Sequence, residues 1–174
     1  MSRQRESATP PRAIIEVRNV KKRYRLGDEE VWALKGINLE IVRGEFLSIM
    51  GPSGSGKSTL FNQIGALDIP TEGQVFFETE SIFDLTERQQ AWFRSHKVGY
   101  IFQTFNLIPV MTALQNVMLP IVLQGAGTQQ ARARATGLLD RVGLGHRLQY
   151  RPAELSGGQQ QRVACARALA NNPS

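Results

Sequence analysis

Three features of the sequence predict an α/β fold. The first is the stretch Gly51-Pro-Ser-Gly-Ser-Gly-Lys-Ser-Thr59, set between an apolar run and a helical period. The second is an alternation of apolar and polar residues ahead of it, the pattern of half-buried antiparallel strand. The third is a set of helical periods behind it, opened by paired capping residues. They predict a core built round a phosphate-binding loop, with an antiparallel β subdomain before it and a helical subdomain after it, over about residues 104–160.

Taken in order, residues 1–13 are polar and basic, with Arg3, Arg5 and Arg12 beside Pro10 and Pro11, and read as a disordered tail. They lack the apolar segment of a secretory signal. Residues 14–24 read as a first strand, with Ile15 and Val17 alternating with polar neighbours. Residues 25–30, with Gly27 and Asp28, read as a polar turn. Residues 31–34 and 36–42 follow as strand, the second alternating as Ile37, Leu39, Ile41. Residues 45–50 form a mostly apolar run between Gly44 and Gly51 and read as a buried strand. Residues 57–67 read as a helix with Leu60, Ile64 and Leu67 on one face. A turn over 70–73 and a short strand over 74–78 come next. Thr86 and Gln89 have capping-box spacing, which predicts a helix carrying Ala91, Trp92 and Phe93 to about His96. Residues 97–102 read as the next core strand.

Beyond Thr104 the pattern is helical. Thr112 and Gln115 repeat the capping-box spacing, and Pro120 is expected to end or kink that helix. Residues 125–128 form a break. Ala131, Ala135, Leu138, Leu139 and Val142 then fall on a helical period. After a connection over 143–152, Ser156 is placed to cap a last helix, about 158–170, with Val163, Ala166, Leu169 and Ala170 inward.

Composition excludes several classes. No apolar run approaches the ~20 residues that a membrane span needs, and the protein is expected to be cytoplasmic. The single Cys165 rules out an internal disulfide and a cysteine-rich metal site. The net charge of +6 is scattered and forms no basic stripe, so no nucleic-acid partner is expected.

The chemistry centres on the loop. Gly51, four residues, then Gly56, Lys57 and Ser58 is the spacing of a phosphate cradle. Gly51, Gly54 and Gly56 let backbone N–H groups converge on a phosphate without Cβ clashes, with Ser53 and Ser55 between them. The helix that follows adds unpaired donors and a positive dipole end. Lys57 is expected to reach the β- and γ-phosphates, and the Ser58 hydroxyl to ligate Mg²⁺, with Thr59 beside it. Three further stations are open to two readings. Tyr24, upstream of the loop, reads first as a partly exposed strand aromatic and second as a ring that stacks on a purine. Gln103, after an apolar run, reads first as a strand-ending polar residue and second as a ligand to Mg²⁺ or water, since open α/β sheets bind ligands at that end. Ser156, Gly157, Gly158 and Gln159 open a helix. They read as a flexible turn or as a second anion-facing terminus, the latter sensible if another molecule holds the phosphate.

With these residues in place the sequence resembles the ATP-binding-cassette family, from about Ile14 onward. Leu155-Ser-Gly-Gly-Gln-Gln-Gln-Arg162 followed by Ala166-Arg-Ala-Leu169 is similar to the family's signature segment. Residues 51–59 are similar to its first phosphate motif, Gln103 to its glutamine loop, and Tyr24 to its base-stacking aromatic. Leu67-Asp-Ile-Pro-Thr-Glu-Gly73, Gly99-Tyr-Ile-Phe-Gln103 and Asn106-Leu-Ile-Pro109 look most like the subgroup for lipoprotein release, macrolide export and cell-division partners. Cys165 departs from the family's usual aliphatic residue, and His96 and His146 match none of its functional histidines. The resemblance implies a P-loop NTPase core and a nucleotide-binding domain over 14–174. It implies an ATPase subunit that binds ATP and Mg²⁺, coupled to a transmembrane permease subunit and peripheral on the inner face of the cell membrane. It also implies a second cassette subunit, each ATP lying between one chain's phosphate loop and the other's Ser156–Gln159. Residues 105–110 would face the membrane partner.

One family element is missing from these residues. The apolar strand that ends in an aspartate and a glutamate follows the signature helix in the family, and a switch histidine comes later. Here the sequence ends at Asn171-Asn-Pro-Ser174, and no acidic residue follows Glu154. Val75-Phe-Phe-Glu78 imitates such a strand but comes too early and suits the antiparallel sheet. The chain as written is therefore expected to be deficient in hydrolysis. Two alternatives follow: a non-hydrolysing ATP-binding remnant, and a soluble cassette protein acting on ribosomes or DNA.

Overall fold

The structure, a computed structural model, describes residues 13–174. The basic tail falls outside the described residues except for Ala13, which already begins a strand. The chain divides into two compact units, Met1–Gln90 and Ala91–Ser174.

The first unit is built on an antiparallel sheet in the order β2-β1-β3-β4. Its strands are β1 (Ala13–Leu26), β2 (Glu29–Val42), β3 (Glu72–Phe77) and β4 (Glu80–Ser81). The two stretches expected over 31–34 and 36–42 are one continuous strand, and the turn before them is only Gly27-Asp28. Pairs such as Val17 with Leu39, Val20 with Ile37 and Tyr24 with Val31 set the register, which shifts at bulges between Val17 and Lys21. Alternation buries Val75 and Phe77 on one face of β3, and the bulge between Val17 and Val20 brings those two, three residues apart, to the buried face of β1; Leu34, Leu60 and Ile82 are buried in the same unit. Phe76 and Phe77 lie in β3, paired antiparallel with β1, as the alternation over 75–78 required.

Helix α1 (Lys57–Ile64) is shorter than expected. Gly65 caps it, and the N–H groups of Leu67 and Asp68 fold back on the Asn62 carbonyl at 2.8 and 3.3 Å. Leu67, expected on the buried face, lies past this reversal and is 44% exposed. Residues 45–50 are not a strand. Apolar content marks a segment for burial, but a strand exists only where its N–H and C=O groups meet a neighbour's. No described strand pairs with this run, and Phe46 and Met50 are 96% and 88% exposed.

Helix α2 (Glu87–Lys97) opens on the expected box: Thr86 N–H donates to Gln89 Oε1 at 2.9 Å, and Gln89 N–H to Thr86 Oγ1 at 3.4 Å. The second unit then holds α3 (Ala113–Leu123), α4 (Thr128–Arg141) and α5 (Gly157–Ala168) round one apolar cluster. Leu114, Val117 and Ile121 enter it from α3, Ala131, Ala135 and Leu139 from α4, and Val163 and Ala166 from α5. The Thr112–Gln115 box forms, but Pro120 does not end α3, which runs on to Leu123. Burial of Val117 and Ile121 on one side of the helix offsets the missing proline donor. Leu169 was expected inward and is 49% exposed, while Ala170 is buried. Helix α5 stops at Ala168, and the Ala170 N–H to Arg167 carbonyl bond (3.1 Å) tightens the last turn, which keeps Ala170 inward and turns Leu169 out. Residues 98–102 likewise form no strand. Their edge carries one ladder-like bond, from Ser174 N–H to the Lys97 carbonyl at 3.2 Å.

Candidate functional site

The phosphate loop leaves β2 through the turn at Arg43-Gly44 and ends in α1. Gly54 and Gly56 have φ of 80° and 88°, left-handed values that favour glycine. At Gly56 space adds a second restriction: a Cβ there would lie 2.5 Å from the Ala33 carbonyl oxygen and 3.1 Å from Leu34 Cδ2. The start of α1 is thus pressed against β2 in a way only glycine allows. Gly56 is the N-cap and contributes no side-chain cap. Helix geometry leaves the N–H groups of Lys57, Ser58 and Thr59 without intrahelical acceptors. They form the donor end of a dipole, suited to an anion.

Lys57 is held over the loop that it follows. Its Nζ donates to the carbonyls of Gly51 (2.8 Å) and Pro52 (2.6 Å) and to Ser55 Oγ (3.2 Å). The Ser55 N–H closes the loop on the Pro52 carbonyl at 3.3 Å. A fixed ammonium and a row of amide donors therefore share one short segment, with Ser53 and Ser58 exposed beside them. That donor set fits a polyphosphate, and the Ser58 hydroxyl at the first turn offers an oxygen ligand for a hard cation.

Tyr24 lies in the same unit and is 37% exposed. Its hydroxyl donates to Asp68 Oδ2 at 2.8 Å. Burial, together with this carboxylate, raises the Tyr24 pKa, and a hydrogen bond with the Thr59 side chain works the other way. Lys22 Nζ stands 5.1 Å from the centre of the Tyr24 ring and donates to Asp68 Oδ1 at 2.6 Å. Burial tends to raise the Asp68 pKa, but the bonds from Lys22 and Tyr24 outweigh it and hold the carboxyl below its ordinary value. Sequence reasoning missed Asp68 and Lys22. The Lys22–Tyr24 spacing put both on one strand face, but nothing in the sequence joined Asp68 to them.

Gln103 and Ser156–Gln159 stand in the second unit. Gln103 is exposed in a turn with Thr104. The backbone after it carries positive φ at Phe105 (60°) and Asn106 (46°). Arg167 of α5 grips this bend, donating to the carbonyls of Phe105 (2.6 Å) and Asn106 (2.5 Å). The same helix therefore carries the Ser156–Gln159 terminus at one end and a hold on the segment after Gln103 at the other. Its capping box is complete: Ser156 N–H donates to Gln159 Oε1 (2.9 Å), and Gln159 N–H to Ser156 Oγ (3.4 Å). A Cβ added to Gly157 or Gly158 would meet nothing within 4 Å, and neither has a positive φ. Among the described residues no contact requires either glycine.

Among the described residues no helix is long and apolar enough to cross a membrane.

A family model described as ABC transporter matches residues 34–174. The macrolide export ATP-binding/permease protein MacB of Syntrophobacter fumaroxidans is 51% identical over 163 residues, which cover 92% of this chain and 23% of that protein. The lipoprotein-releasing system ATP-binding protein LolD of Pseudomonas syringae pv. tomato is 48% identical over 162 residues, covering 93% of this chain and 71% of LolD. A solved dimeric structure of an ATP-binding cassette in a post-hydrolysis state, bound to ADP and Pi, matches with a TM-score of 0.86 at 49% identity. That match covers 91% of this chain and 70% of the other. The chain thus spans less than a quarter of MacB and about 70% of the separate ATP-binding relatives.

Proposed function

Because the chain belongs to the ABC transporter family, we propose that it is the ATP-binding part of an ABC transporter, coupling ATP binding and hydrolysis to transport through a membrane partner. The observation that carries this reading is the loop at 51–59, where Lys57 is tied to the Gly51 and Pro52 carbonyls and Gly56 admits no Cβ. Residues 14–174 would be the nucleotide-binding domain, with a helical subdomain over about 104–160. Residues 51–59 would wrap the phosphates of ATP, Ser58 and Gln103 would ligate Mg²⁺, and Tyr24 would stack on adenine. Bound Mg²⁺ would supply neutralisation of phosphate charge. The partner side of the site would be a second cassette. Gly157 and Gly158 cost helix stability relative to alanine and satisfy no steric need among the described residues, which supports a close approach by something outside the chain. The permease subunit would place the domain on the inner face of the cell membrane. The relatives above are named for macrolide export and lipoprotein release, which favours this reading over action on ribosomes or DNA.

Calorimetry with Mg-ATP tests the site. Lys57→Ala removes a charge-assisted contact and is expected to weaken binding by at least about tenfold. Equal affinity in variant and parent would overturn the assignment of the loop. Hydrolysis is a separate matter for the 174 residues themselves, which hold no carboxylate after Glu154 to orient water. The purified polypeptide is expected to bind ATP without appreciable phosphate release, and appending the C-terminal part of a relative's cassette is expected to restore turnover. Turnover by the unextended polypeptide that Lys57→Ala abolishes would refute this.

A further inference from the structure

We propose that Asp68, assisted by Lys22, is the positioning residue for the base platform: it fixes the plane of the Tyr24 ring and so sets where a nucleotide's base lies. The inference rests on the reading of Tyr24 as the platform. A half-exposed tyrosine on a strand can adopt several staggered side-chain conformers, and only some would present a ring face to a base bound at the loop. Here the hydroxyl is tethered to Asp68 Oδ2 at 2.8 Å. The carboxylate is itself immobilised, because Oδ1 accepts from Lys22 Nζ at 2.6 Å and from the Ile69 N–H at 2.9 Å.

The tether leads to the phosphate loop. Asp68 is carried on the reversal that closes α1, where its N–H and that of Leu67 return to the Asn62 carbonyl. The other end of α1 holds the loop. Platform and phosphate cradle are thus both referenced to one short helix. Lys22 shares a strand face with Tyr24, being two residues away. Its Nζ lies 5.1 Å from the ring centre, where a cation is attracted to the ring, and it also donates to the Ile69 carbonyl at 2.7 Å. A ring has two faces, and stacking a base needs one. The Lys22–Asp68 pair is half-buried, so the cost of desolvating both charges offsets much of their attraction and the pair by itself contributes little to stability. Convergence of three donors on one carboxylate instead serves to pre-set geometry, which raises affinity by lowering the ordering cost of binding.

The experiment is calorimetry on the whole chain with two probes, Mg-ATP and Mg-tripolyphosphate, which carries the phosphates without a base. Tyr24→Phe keeps the ring and removes the tether, and Asp68→Ala removes its anchor. Each is expected to weaken ATP by about tenfold while tripolyphosphate binding stays as in the parent. Combined, the two changes are expected to weaken ATP no further than either alone, because they cut the same link. If Tyr24→Ala binds ATP like the parent, the platform reading fails and this inference with it. If Tyr24→Ala weakens ATP but Tyr24→Phe and Asp68→Ala do not, the platform stands and the role of Asp68 is overturned. Loss of tripolyphosphate binding in Asp68→Ala, in step with ATP, would also overturn it, since Asp68 would then be shaping the loop.

Discussion

Gln63 faces inward from α1 with no exposed surface, and neither its Nε2 nor its Oε1 meets a hydrogen-bonding partner among the described residues. A buried amide without partners forfeits its hydration and gains nothing in exchange. Methionine has nearly the same shape, is unbranched and needs no partner. Gln63→Met is therefore expected to stabilise the chain by about 1–3 kcal/mol. Each kcal/mol appears in a thermal melt as roughly 2–4 °C for a chain of this size. A lower melting temperature would mean that the amide has found a partner in solution. Asn116 is the opposite case, equally buried but with its capacity filled. Its Oδ1 accepts from the Ile108 N–H at 2.8 Å, and its Nδ2 faces the carbonyls of Ile108, Met111 and Thr112 at 3.0–3.2 Å.

At the scale of elements, that asparagine explains how the irregular segment ahead of α3 is held. Residues 108–112 form no ladder of their own, and their backbone groups turn to one side chain of the helix that follows. Arg167 does the same from α5 for the bend at Phe105-Asn106. Burial lowers the pKa of this guanidinium, a desolvation cost set against its two carbonyl bonds. The stretch expected to face the membrane partner is thus anchored at both ends by helical side chains. Asn116→Ala is expected to cost about 1–3 kcal/mol in urea denaturation, since it takes from the half-buried Ile108 N–H and Met111 carbonyl their side-chain partner, while the Ile108 and Thr112 carbonyls keep the N–H groups of Met111 and residue 116. Hydrogen exchange at the Ile108 amide is expected to rise in the same variant. A variant as stable as the parent, with Ile108 still protected, would show that the segment is held by apolar packing alone.

For the molecule as a whole, Gly157 and Gly158 make a prediction of opposite signs. Alanine is the better helix former by up to about 1 kcal/mol per residue, and the space around both positions is open. Gly158→Ala is thus expected to raise thermal stability slightly. If a second cassette approaches there, the same methyl group obstructs it. In a cassette lengthened with a relative's C-terminal part, Mg-ATP-dependent association measured by sedimentation is expected to weaken. Unchanged association would remove this terminus from the partner interface. What the sequence by itself determined was local: the loop spacing at 51–59, two capping boxes and the Ser156 cap, and the alternation that placed β1 to β3. Each rests on residues only a few positions apart, so the local pattern carries the physics. The runs at 45–50 and 98–102 had the composition of strands but not the neighbours, because a ladder is a relation between distant segments. Only the tertiary structure tied Tyr24 to Asp68 and Arg167 to Phe105 and Asn106, pairs separated by 44, 62 and 61 residues. No local period encodes such a pairing, because it depends on where helices end and on how chain reversals bring their flanks together.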